Sequence, residues 1–85
     1  MWYTYVLQNN KGGCYIGMTK DLQKRILRHN SGKNKSTKFG IPWKIIYCEI
    51  GLNSNDAHNR EKYLKSGMGR RYLKNRLKFF FAKGF

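Results

Sequence analysis

Eighty-five residues, 40% of them hydrophobic and including six Tyr, five Phe and two Trp, suffice for one small, well-packed domain spanning residues 1–85. Against 18 Lys and Arg stand 4 Asp and Glu, and a net charge of +14 attracts polyanions by counterion release and steering. No apolar stretch is long enough to cross a bilayer, Trp2 to Leu7 is too short and polar for a signal peptide, and no segment is a clear amphipathic lipid binder. A cytoplasmic protein with a nucleic-acid partner is expected, ahead of an anionic membrane surface.

Residues 2–8 are rich in aromatic and β-branched side chains and predict a strand. Asn9 to Gly13 is turn chemistry, since Asn and Gly tolerate positive φ, and Cys14 to Met18 then returns as the partner of an antiparallel hairpin. Thr19 is the expected N-cap of a helix running to about Asn30, with Asp21 in its first turn and Leu22, Ile26 and Leu27 on its apolar face. Arg25 and His29, four apart, stack along one edge of that helix. Ser31 to Pro42 is a loop whose Lys33, Lys35 and Lys38 suit a phosphate backbone or plain solvent equally.

Residues 43–49 predict a third strand. Asn53 to Asp56 starts a second helix, with Ser54 or Asn53 as its cap, and it ends about Lys65, where Gly67 and Gly69 break it. A last helix from about Arg70 to Phe80 carries Leu73, Leu77 and Phe80 at helical spacing. The order β-β-α-β-α-α implies an α+β fold: a three-stranded, mainly antiparallel sheet flanked by helices. Cys14 and Cys48 each fall in apolar strand-like runs and are expected to be buried, reduced thiols; their spacing does not fit a zinc site.

Glu61 is the most informative single residue. It falls with Ala57 and Leu64 at i, i+4 and i+7, in line with the apolar stripe, where an anion is costly unless paired or metal-bound. One such carboxylate, with waters and a substrate phosphate, could hold Mg²⁺; a salt bridge to Arg25 or Lys65 is the structural alternative. Arg25 could clamp a phosphate bidentately. His29 could shuttle a proton or donate to a phosphate. Tyr5 and Tyr15 could orient or deprotonate a water, which requires a lowered phenol pKa in a strongly positive site.

Tyr15-Ile16-Gly17, with Tyr5 ten residues before and Thr19-x-Asp21-Leu22-x-x-Arg25-x-x-x-His29-Asn30 after, resembles the GIY-YIG endonuclease family. His29-Asn30-Ser31-Gly32, Pro42-Trp43-Lys44 and Arg60-Glu61-Lys62-x-Leu64-Lys65-Ser66-Gly67 are similar to its small single-domain bacterial members, related to the nuclease domain of the excision-repair subunit that makes the 3′ incision. The resemblance runs from Trp2 to about Leu77. It implies hydrolysis of a phosphodiester, DNA foremost and in DNA repair, with one Mg²⁺ or Mn²⁺ ion held by Glu61. Tyr5 and Tyr15 would position or activate the water, and Arg25 and His29 would hold the scissile phosphate. Lys33, Lys35, Lys38 and Lys65 are the candidate nucleic-acid contacts, and Gly17 would let the backbone pass close to helix and substrate. The first motif reads Tyr3-Thr4-Tyr5, so its Gly and Ile are absent and only the tyrosine survives. Asn75 is a weak match to an asparagine that some members use near the site.

Two other classes compete. A non-catalytic nucleic-acid-binding module would use the same basic surface and exposed aromatics. Residues 11–18 fit an RNA-recognition octamer at Lys11, Gly12, Tyr15 and Ile16 but lack its aromatics at the third and last positions, which weakens that reading. A basic interaction protein docking on ribosomes or a repair complex would present Phe79-Phe80-Phe81 and Phe85, although packing of that helix on the sheet is the preferred reading.

Overall fold

The computed structural model describes residues 1–83. Strand β1 (Trp2–Asn9) lies between β2 (Cys14–Thr19) and β3 (Trp43–Gly51), and both pairings are antiparallel. Helix α1 (Leu22–Asn30) follows the hairpin; α2 (Ser54–Lys65), α3 (Gly67–Arg76) and α4 (Lys78–Ala82) follow β3. The architecture is the expected α+β one, with the terminal helical segment divided in two.

Alternation along β1 divides the core between the two faces of the sheet. Tyr5 and Leu7 join Trp43 beneath Leu22 and Ile26 of α1. Val6 points the other way, to Leu64 of α2 and Leu73 of α3. Thr4, on that second face, donates from Oγ1 to the Ala57 carbonyl of α2 at 3.2 Å. A bulge between Val6 and Leu7 in the pairing to β3 interrupts the register.

Several local expectations are corrected. The N-cap of α1 is Asp21, whose carboxylate accepts from the Lys24 N–H at 3.0 Å; the Thr19 hydroxyl instead accepts from the Asp21 N–H at 3.1 Å. Leu27 is 67% exposed, and only Leu22 and Ile26 pack inward. The second helix stops at Ser66, which also caps α3 by accepting from the Gly69 N–H, so Gly67 and Gly69 open a helix rather than separating two. A Cβ at Gly69 would run into the Tyr63 carbonyl, so the glycine permits the tight α2–α3 corner. The final helix breaks at Leu77, a junction between α3 and α4 that still packs on the Val6 side.

Cys14 and Cys48 are both exposed, not buried, because they lie on the two outer strands at positions the helices leave uncovered. The loop from Ser31 to Pro42 holds a 3₁₀ turn at Lys38–Gly40 and is pinned from both sides. The Asn30 side chain pairs with the backbone of Trp43, donating to its carbonyl at 3.0 Å and accepting from its N–H at 2.7 Å. The Trp43 indole N–H donates to the Thr37 carbonyl at 2.8 Å. Phe81, half-buried, lines a hollow with Val6, Ile16 and Ile46, while Phe79 is exposed. Phe85 lies outside the described residues.

Candidate active site

Tyr5 occupies the middle of the central strand, fully buried, with its phenol reaching sideways over β2. That path is open because its partner in register is Gly17. A Cβ there would stand 2.6 Å from the Tyr5 hydroxyl and 3.1 Å from the Tyr15 ring. The glycine expected to make room for helix and substrate makes room for the two tyrosines instead.

The Tyr5 hydroxyl lies 3.0 Å from Nε2 of His29, and Nδ1 of His29 lies 2.9 Å from the Thr37 hydroxyl. Tyr15 packs its ring 4.8 Å from the imidazole and 6.4 Å from the Tyr5 ring. His29 is 0% exposed with both ring nitrogens engaged. It therefore braces Tyr5 from behind and does not reach a surface where a phosphate could lie. Thr37 was invisible to sequence reasoning, being one hydroxyl in a Lys-rich loop with no spacing that ties it to a helix.

Arg25 of α1 and, more weakly, Glu61 of α2 both bear electrostatically on the same phenol. Burial pushes the Tyr5 hydroxyl up to about 12, the neighbouring Tyr15 adds to the rise, Arg25 opposes it, and the Glu61 carboxylate raises it slightly. The expected lowering of the phenol is thus reversed, because desolvation outweighs the nearby guanidinium. Burial, then Arg25 and Arg28, hold His29 below its ordinary 6.5. Near pH 7 both groups are neutral: Tyr5 keeps its proton and His29 lacks a second one.

Glu61 is inward-leaning, with its side chain 17% exposed. It takes the salt bridge anticipated as its structural alternative, with Oε2 2.9 Å from the Lys65 ammonium, and Oε1 lies 3.8 Å from Nδ1 of His58. Arg25 opens on a hollow of about 550 Å³ lined also by Lys24, Arg28 and Lys33 and by one carboxylate, Asp21, a basin of net positive charge. Arg28 falls three residues after Arg25 and four after Lys24, a helical spacing from which its company with each was readable. Lys35 and Lys38 stand exposed on the loop, the latter over the Phe39 ring at 5.0 Å. Asn75 lines a separate hollow with Tyr63, Met68, Arg71 and Tyr72, apart from this cluster.

Residues 1–74 match the family model described as the GIY-YIG catalytic domain. The chain belongs to the GIY-YIG family. A UPF0213 protein of Streptococcus pneumoniae is 41% identical over 64 residues, covering 74% of this chain and 65% of the relative's length. The UPF0213 protein SSP2268 of Staphylococcus saprophyticus is 34% identical over 73 residues, covering 85% of this chain and 89% of its own. The solution structure of the UPF0213 protein BH0048 from Bacillus halodurans superimposes with a TM-score of 0.54 at 29% identity, over 88% of this chain and 84% of that one. GIY-YIG membership implies nuclease activity, and with it nucleic acid as the class of substrate. No helix among the described residues is long and apolar enough to cross a membrane.

Proposed function

We propose that this protein is a divalent-metal-dependent endonuclease that hydrolyses phosphodiester bonds of DNA in the cytoplasm, in the service of DNA repair. The observation that supports this most is the Tyr5–His29–Thr37 hydrogen-bonded chain packed against Tyr15, with Arg25 of α1 acting on the same phenol and opening on a hollow lined by Lys24, Arg28 and Lys33.

The donor set suits a hard cation. Among the described residues no three His, Cys, Asp or Glu come together, so a closed all-protein site is absent there. Mg²⁺ needs no such cage: one carboxylate, waters and the substrate's own phosphate suffice, and Glu61 is that carboxylate. The ion, Mg²⁺ or Mn²⁺, would supply Lewis-acid stabilisation of the charge that develops on the phosphate. Lys65, at 2.9 Å, and His58, at 3.8 Å, hold the Glu61 side chain in place until then.

Arg25 faces the basin and would hold the scissile phosphate, matching its growing charge with a fixed fork of donors. Tyr15, half-buried, orients the attacking water. Tyr5, protonated near pH 7, keeps its hydroxyl hydrogen-bonded to Nε2 of His29, which leaves an oxygen lone pair to position that water. Lys33 extends the basin onto the loop after α1, which also carries Lys35 and Lys38.

Purified protein is expected to nick or cleave DNA with Mg²⁺ or Mn²⁺. Glu61→Ala and Arg25→Ala should each lower cleavage by about 100-fold or more, the scale for losing one group that meets transition-state charge. Glu61→Ala should bind DNA at least as well as wild type, since it removes an anion from the surface and frees Lys65. Equal cleavage by Glu61→Ala and wild type would contradict the metal assignment. Binding without any cleavage by wild type would favour the non-catalytic module.

A further inference from the structure

On the sheet face opposite α1, a hollow of about 510 Å³ opens between the β1–β2 hairpin and helices α3 and α4. Its floor is apolar, made by Val6, Ile16, Ile46, Leu73 and Phe81. Its rim is cationic: Lys65, Arg70 and Lys74 all line it and all are exposed, and no carboxylate lines it. Gln8 stands on the same sheet face, opposite Cys14 in register, and its buried side-chain oxygen meets no donor among the described residues.

We infer that this hollow is a nucleotide subsite, taking an unpaired base on its apolar floor and the attached phosphate on Lys65, Arg70 and Lys74. The inference rests on the nuclease reading and extends it to the form of the substrate. An apolar floor ringed by cations matches a nucleotide, whose base is flat and weakly polar and whose phosphate is anionic. The subsite adjoins the candidate active site, because Lys65 both lines the hollow and pairs with Glu61, and Tyr15 also borders it. In a stacked duplex both faces of every base are covered, so only an unpaired or extruded nucleotide can enter. The preferred substrate is therefore nucleic acid with an unpaired nucleotide beside the cut, rather than perfect duplex.

The two cysteines allow a test that does not depend on cleavage. Cys14 lines the hollow and Cys48 does not, and both are exposed to an alkylating reagent. Deoxyadenosine monophosphate at millimolar concentration should slow alkylation of Cys14 by about fivefold or more, because a seated ligand covers most of its pocket, and leave Cys48 unchanged. Inorganic phosphate at equal ionic strength should protect neither thiol. Arg70→Glu and Lys74→Glu, both at exposed positions, should lose the protection. Protection of Cys14 by inorganic phosphate alone, by phosphatidylglycerol vesicles but not the nucleotide, or by nothing would overturn the subsite. Cleavage without Cys14 protection sinks the subsite alone, and Cys14 protection without cleavage sinks the nuclease reading alone.

Discussion

Tyr5 and His29 share one hydrogen bond in a dry interior, and burial moves each away from its charged form. For His29 this makes stability depend on pH. A folded-state value below 6.5 means the unfolded chain binds the proton more readily. The contribution is fully present above the unfolded value and is lost as pH falls through the folded one. The thermal midpoint of wild type should therefore drop between pH 7.5 and 5.5, measured by calorimetry, with a shallower drop in His29→Gln. A slope unchanged by that substitution would remove His29 as the source. Gly17 sets a second condition on the same bond. In Gly17→Ala the methyl meets the Tyr5 hydroxyl, so the phenol must leave His29. Overpacking of this kind costs about 1–3 kcal/mol. At about 4–8 °C per kcal/mol for a chain of this size, a clear fall in midpoint is expected together with loss of cleavage. A variant with wild-type midpoint and activity would show that the phenol's path over β2 has no consequence.

At the scale of elements, the strands and helices were readable where local chemistry is unambiguous. Aromatic and β-branched runs marked β1 and β3, and Asn53 capped α2 as anticipated, accepting from the Asn55 N–H. Errors came where two local signals compete. Thr19 and Asp21 are both good caps, and the hairpin's end at Thr19 gives the role to Asp21. Gly67 and Gly69 read as breakers, yet a serine that ends one helix and starts the next needs a small residue where the two cross. The Lys-rich loop had no local order to read, since its ties come from Asn30 and Trp43, thirteen residues apart. Cysteine in an apolar run suggested burial, but which strand lies at a sheet's edge is a matter of topology.

Across the whole molecule, 18 cations face 4 anions, and one of those anions is spent inside the fold: Glu49 accepts from the Arg60 side chain and from the Tyr47 hydroxyl. The surplus is arranged as the basin around Arg25 and the rim formed by Lys65, Arg70 and Lys74. Engaging about six phosphates would give a slope near −5 in log K against log salt, and roughly a thousandfold weaker binding at 200 mM than at 50 mM salt. Fluorescence anisotropy on a short DNA measures this, and a flat salt response would exclude the phosphate backbone as the main contact. Charge, strand pattern and the Tyr, Arg, His and Glu spacings belong to the sequence by itself, because each depends on residue type or on neighbours a few positions away. That Tyr5 keeps its proton, that His29 braces it with Thr37, and that a second hollow lies beyond Lys65 were decided only by tertiary structure. Desolvation and contact between residues far apart in the chain come into being only when the sheet and its helices close on one another.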